Sequence, residues 1–196
     1  MTVPTASPAD PPADPSVPGR IVVALIGLPG AGKSTIARAL EDHLRLRRIC
    51  RDAIRAAMFP RCSYSFLEKR AAFRGVVQAL EINCMLGISS VLDGMTFSAR
   101  DDYDRIAETV AAFDFTLMPL WVDCPPERAR ARVQDDLDAN RHLALDRTPE
   151  RVDEVRRRAV PPPDGAVRID AELPASAMCR EAVRLVAARL QAGPAG

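Results

Sequence analysis

The sequence predicts an α/β domain of three layers, with a parallel five-stranded sheet between two layers of helices. Two patterns carry that expectation. Five short runs of β-branched and aliphatic residues (21–26, 47–50, 89–94, 115–122 and 167–170) alternate with segments of helical periodicity. The first run is apolar throughout, as expected of a strand covered on both faces. The length, 196 residues, suits one domain with a substantial core.

Residues 1–19 contain six of the seventeen prolines, with Ala, Ser, Thr and Asp between them. Such a segment buries too little apolar surface to offset its ordering entropy, so a disordered tail is expected before a domain over 20–196. The first strand then runs into Gly27-Leu28-Pro29-Gly30-Ala31-Gly32-Lys33-Ser34-Thr35, and Ile36, Leu40 and Leu44 recur behind it at helical spacing. Strand, Gly-x-x-x-x-Gly-Lys-Ser and helix in that order form a phosphate-binding loop. Its amides and the open helix N-terminus cradle phosphate oxygens, Lys33 reaches the β and γ phosphates, and the Ser34 hydroxyl ligates Mg²⁺. The chain has only two lysines among 27 basic residues, and one stands where a compact ammonium is wanted. ATP and Mg²⁺ are therefore the expected cofactors, and the fold is expected to be that of a P-loop NTPase.

Farther along, 47–50 reads as a short strand, and Asp52 opens a helix that Pro60 stops. A long helix near 66–86 places Phe66, Phe73, Val77, Leu80 and Cys84 on one stripe, with Arg70, Arg74, Gln78 and Glu81 on the other. The strand over 89–94 ends in Asp93-Gly94, and Ser98 is suited to cap the helix that follows to about residue 112. Pro119 within the fourth strand suggests a bulge or an edge. Pro125-Pro126 starts a charged helix to about residue 138. Thr148-Pro149 starts another, and 139–147 reads as a mobile connection between them. A strand at 167–170 and an amphipathic helix over 175–190 close the domain.

Composition narrows the partners. A net charge of +1 and 5% aromatic residues favour a small metabolite over nucleic acid. No apolar run approaches the ~20 residues that span a bilayer, and no basic-then-apolar leader is seen, so a cytoplasmic setting is expected. Five scattered cysteines without a Cys-x-x-Cys pair argue against disulfides and zinc. Nothing in the pattern encodes an oligomeric state.

Acids at the carboxyl ends of strands are the first candidates for chemistry at the γ phosphate. Asp52 is placed to accept a proton from an attacking hydroxyl or to cap its helix. Asp93 is placed to bind Mg²⁺ directly or through water, to orient an acceptor, or to make a simple Asp-Gly turn. Arg128 and Arg132 share one helical face while Arg130 points away. One or two of Arg128, Arg130, Arg132, Arg141, Arg147 and Arg151 are expected to close over ATP in a lid spanning about 127–160, the rest forming a solvated face offset by Asp135, Asp136 and Asp138.

With these residues assembled, the chain resembles P-loop kinases of the nucleoside-monophosphate-kinase-like group, over about 20–192. The nearest patterns are adenylylsulfate kinase, gluconate kinase and the polynucleotide-kinase and zeta-toxin branch. Gly27 to Ala37 is similar to the phosphate loop of adenylylsulfate kinase. Asp52-Ala53-Ile54-Arg55 is similar to the Asp-x-x-Arg that follows the second strand of these kinases. That resemblance implies Asp52 as the acid that meets the acceptor hydroxyl, with Arg55 holding the substrate. Arg74 looks like the substrate-side arginine of the adenylylsulfate kinase helix, and the stretch Val122 to Glu127 followed by Arg132 looks like the strand and lid entrance, with Arg132 as lid arginine. The chain departs by carrying Arg51-Asp52 in place of Asp-Gly-Asp, and Asp93-Gly94-Met95-Thr96 in place of Ser-Pro-Tyr-Arg. These differences weigh against adenylylsulfate as substrate. The resemblance implies transfer of the γ phosphate of ATP to a hydroxyl of a small, anionic metabolite. A polynucleotide 5′-hydroxyl kinase and a non-catalytic ATP-binding regulator are the alternatives.

Overall fold

The computed structural model describes residues 20–97, 100–139 and 148–192. The tail, Ser98, and the connection with its Arg141 and Arg147 therefore lie outside the described residues. Five strands, β1 (Ile21–Ile26), β2 (Arg47–Cys50), β3 (Ser90–Asp93), β4 (Thr116–Asp123) and β5 (Val167–Asp170), form one sheet in the order β2-β3-β1-β4-β5. Every pairing is parallel. All six residues of β1 are buried. Ile21, Val23 and Leu25 enter one apolar cluster and Val22, Ala24 and Ile26 the other, the period-two alternation of a central strand between two helical layers.

Helices α1 (Lys33–Leu44) and α7 (Ala175–Gln191) cover the first face through Ile36, Ala37, Leu40, Met178, Ala182 and Val186. The second face is covered by α3 (Phe66–Met85) and α4 (Arg100–Ala111), whose Phe73, Val76, Leu80, Ile106 and Val110 stack on Ala24 and Leu92. The short α2 (Arg51–Met58) follows β2 directly. The charged pair α5 (Pro126–Asp138) and α6 (Pro149–Arg158) stands beyond β4. Thr148 caps α6 with Pro149 behind it, as their order in the sequence predicts. Ser65 and Glu68 make a reciprocal capping box at the start of α3.

Two expectations need adjusting. α2 begins at Arg51, not Asp52, and its N-cap is Cys50 with no side-chain cap bond, so Asp52 does not cap the helix. Pro119 causes no bulge: β4 keeps unbroken register with β1 from Ile21↔Thr116 to Ile26↔Trp121. The Thr116 amide bonds the Arg20 carbonyl, so alternation turns the Pro119 nitrogen away from β1. On that side β5 joins only from Leu120 onward. The absent N–H therefore faces a locally open edge and costs no ladder bond.

Candidate active site

At the carboxyl end of the sheet, the loop between β1 and α1 is shaped by what its glycines touch. Gly27 (φ +144°) and Gly30 (φ +82°) lie in backbone regions that side chains rarely adopt. A Cβ on Gly27 would stand 2.5 Å from the Val122 carbonyl oxygen. Leu28 and Pro29 carry the chain between them, and the Ala31 amide closes the turn on the Leu28 carbonyl at 3.1 Å. Gly32 (φ +100°) is the N-cap of α1, and the helix presents its open amides from Lys33, Ser34 and Thr35 onward. Lys33, 8% exposed, donates from Nζ to the carbonyls of Gly27 (2.7 Å) and Leu28 (2.8 Å).

Pro29, Gly30 and Gly32 to Thr35 line a cleft of about 880 Å³. The same cleft is lined by Arg51, Asp52, Phe66, Lys69, Arg70, Thr96, Asp101 and Asp102, and by Arg132, Asp135, Asp136, Arg151, Ala175, Met178 and Cys179. Phosphate loop, candidate base and lid arginine thus share one cavity. Asp52 is held from behind: Arg55 Nη2 donates to its Oδ1 at 2.8 Å. Its Oδ2 lies against Gly94, where a Cβ would approach to 3.3 Å.

Arg55 is placed differently from the role that the resemblance implies. It is 4% exposed, absent from the cleft lining, and stacked 4.6 Å from the Tyr64 ring centroid. The i, i+3 spacing that suggests a shared acceptor site instead clamps the arginine on Asp52. Arg74 is exposed and does not line the cleft. Arg70, one turn earlier, does, and it also donates to Asp102 of α4 at 2.9 Å. Neither Arg55 nor Arg74 therefore lines the cleft.

Asp93 ends β3 at 1% exposure and stands behind the cleft wall. Its Oδ1 accepts from Ser34 Oγ (2.9 Å) and the Gly94 amide (2.7 Å), and its Oδ2 accepts from Arg48 Nη1 (3.1 Å). A serine hydroxyl that donates to a buried carboxylate turns its lone pairs outward. An oxygen donor of this kind suits Mg²⁺, so the residues fit that ion. Among the described residues, no group of three or more His, Cys, Asp or Glu side chains could hold a metal by itself.

On α5 the three arginines diverge. Arg132 reaches over the loop, with Nη2 on the Ala171 carbonyl at 2.9 Å and Nη1 near the carbonyls of Ala31 (3.4 Å) and Gly30 (3.5 Å). Arg130 turns to α6 and pairs with Asp153 at 2.6 Å. Arg128 is exposed. Cys124, between Arg132 and the loop, has its thiol pushed up by burial. Sequence reasoning passed over Arg48, Lys69 and Arg51. Arg48 has its partner 45 residues away, and Lys69 is one of several charges on a polar helix face. Arg51 could have been found, because it precedes the candidate acid at a strand tip.

Among the described residues, no helix is long and apolar enough to cross a membrane. A comparison with curated proteins by sequence finds no match. Solved structures share the fold. A gluconokinase from Sinorhizobium meliloti 1021 superposes with a TM-score of 0.64 at 16% identity, covering 89% of this chain and 95% of the other. A sugar kinase from Janibacter sp. HTCC2649 gives 0.62 at 20%, covering 87% and 95%. The APS kinase of Mycobacterium tuberculosis, in complex with AMPPNP and APS, gives 0.62 at 15%, covering 87% and 99%. The AAA_33 family, described as an AAA domain, matches residues 22–162. With its phosphate loop, parallel sheet and kinase neighbours, the chain belongs to this family of P-loop domains.

Proposed function

We propose that the protein is a Mg²⁺- and ATP-dependent phosphotransferase whose acceptor is a hydroxyl of a small, anionic metabolite. The observation that carries this reading is Asp52, which lines the same cleft as the phosphate loop and is held by Arg55. The loop amides and Lys33 hold the triphosphate, with Lys33 exchanging its two carbonyl partners for phosphate oxygens. Ser34 would hold Mg²⁺, with Asp93 behind it, and the ion would offset charge on the β and γ phosphates. The acceptor hydroxyl attacks the γ phosphorus. A new O–P bond forms, the bond from phosphorus to the bridging oxygen of ADP breaks, and the hydroxyl proton passes to Asp52. Arg55 fixes the carboxylate on one oxygen and leaves the other for that proton.

Arg51, Lys69 and Arg70 line the cleft with Asp52 and are the cations that would hold a carboxylate, sulfate or phosphate group of an acceptor, while Asp101, Asp102, Asp135 and Asp136 on the same lining offset part of their charge. The three cations take the gripping role that the sequence assigns to Arg55 and Arg74. Arg132 bridges the loop and the Ala171 carbonyl, where it can meet charge on the transferring group. The sugar kinases among the structural neighbours fit a small-molecule acceptor. Incubation with γ-labelled ATP and fractionated metabolites tests the reading: label appears in an acidic, alcohol-bearing fraction. Nucleotide binding without transfer to any fraction supports a regulatory protein, and transfer only to oligonucleotides with a free 5′-hydroxyl supports a polynucleotide kinase.

A further inference from the structure

We infer that Arg48 is a positioning residue that keeps Asp93 out of the metal's inner coordination sphere and so sets how tightly the site holds Mg²⁺. The inference rests on the proposed nucleotide site and adds to it a residue that touches neither ATP nor acceptor. Three observations carry it. Asp93 is 1% exposed, so its charge has no water to lean on. Both carboxylate oxygens are occupied, Oδ1 by Ser34 and the Gly94 amide, Oδ2 by Arg48. Arg48 is itself fixed from a second side, its Nε 3.3 Å from Glu41 of α1, so it is a strut between helix and strand.

The strand register explains how the strut forms. Cys50 pairs with Asp93 in the β2–β3 ladder, and Arg48 lies two residues earlier on the same face, so its side chain runs along the strand to the acid. An acid held in this way directs Ser34 and leaves the ion's remaining positions to phosphate and water. Deleting the guanidinium changes the balance. Asp93 becomes a buried carboxylate without a counter-charge, and the dication becomes the nearest cation able to compensate it. Metal affinity then rises because Asp93 is released toward the ion. The native pairing keeps the metal exchangeable, so that it enters with ATP and leaves with ADP.

The test uses Mn²⁺ as an EPR probe, titrated into the full chain carrying a non-hydrolysable ATP analogue, with Mg²⁺ competing. Arg48→Gln is expected to bind Mn²⁺ about tenfold more tightly than the parent, and to melt lower without metal and regain the loss with it. Arg48→Lys, which keeps the charge, stays within about twofold. Equal or weaker Mn²⁺ binding in Arg48→Gln overturns the inference. A second measurement needs no Arg48 variant. With ¹³C-carboxyl aspartate, ENDOR of the parent complex should lack the strong coupling of a directly bound carboxylate. A strong coupling that vanishes in Asp93→Asn refutes the inference. Binding of the analogue is titrated separately with saturating Mg²⁺. Failure there overturns the nucleotide site itself, and the inference with it, whereas binding with a wrong metal response overturns the inference alone.

Discussion

Replacing Asp52 with asparagine removes the proposed base together with the negative charge that pairs with Arg55. The side chain keeps its shape, and its amide oxygen still accepts from Arg55, whose guanidinium is 5% exposed. Removing one partner of a buried ion pair costs about 3–5 kcal/mol, which both variants incur, and Asp52→Ala, which also loses the hydrogen bond, is expected to melt below Asp52→Asn. Transfer responds differently. A positioned general base contributes roughly 10²–10⁴-fold, or about 2.7–5.4 kcal/mol of barrier. Asp52 makes no hydrogen bond to the phosphate loop, so ATP affinity is expected to stay within about twofold of the parent, taking twofold as roughly 0.4 kcal/mol. Single-turnover transfer from γ-labelled ATP, combined with ATP titration by calorimetry, separates the two effects. Wild-type turnover in Asp52→Asn would remove the acid from the mechanism. A parallel loss of ATP binding would mean that Asp52 supports the nucleotide and not the acceptor.

Other substitutions probe the frame around it. In Gly30→Ala the new Cβ would lie 2.3 Å from the Ala129 carbonyl oxygen at φ +82°; the backbone strain alone costs about 1–2 kcal/mol, and nucleotide binding should be lost with a lowered melting temperature. Arg132→Ala should cut transfer by about 10²-fold or more, and Arg132→Lys should not restore it, because one ammonium cannot replace a planar fork of donors; single-turnover rates check both. The Glu68 carboxyl is held down to about 2 from 4.5, chiefly by hydrogen bonds from Ser63 and also from Ser65. Its depressed value means that its contribution to stability is present above pH 4.5 and lost as pH falls toward 2. Melting curves of the parent and Glu68→Gln should therefore differ at pH 5–7 and converge near pH 2. A constant gap would show that the capping box does not titrate in this way.

The phosphate loop was legible because its determinants are contiguous: nine residues, a strand before and a helix after. Asp52 and Asp93 were legible as acids at strand tips, where a parallel sheet puts its chemistry. Partners distant in the chain were not. Spacing brings Arg55 near Asp52 but does not say whether it faces solvent or the interior, and packing under Tyr64 decides that. Arg70 and Arg74 lie on the same polar stripe of α3, and only the angle at which α3 meets the sheet determines which reaches the cleft. Arg48 reads as one of two adjacent arginines on a short strand until the β2–β3 register sets it beside Asp93. Pro119 looks obstructive in sequence because the side of β4 left open by β5 is a property of the assembled sheet.

Met178 of α7 is 2% exposed, and its Cε stands 3.0 Å from where a Cβ on Gly32 would be; the neighbouring Cys179 sulfur lies 3.7 Å from the Thr35 carbonyl. The loop that is written by residue 35 thus rests in part on a helix made about 140 residues later. During synthesis the N-terminal part emerges first, so Gly32 gains its contact with Met178 only after α7 has left the ribosome and docked. Nucleotide can reward folding fully only after that docking, so a nascent chain lacking α7 carries the whole motif without the contacts of Met178 and Cys179 behind it.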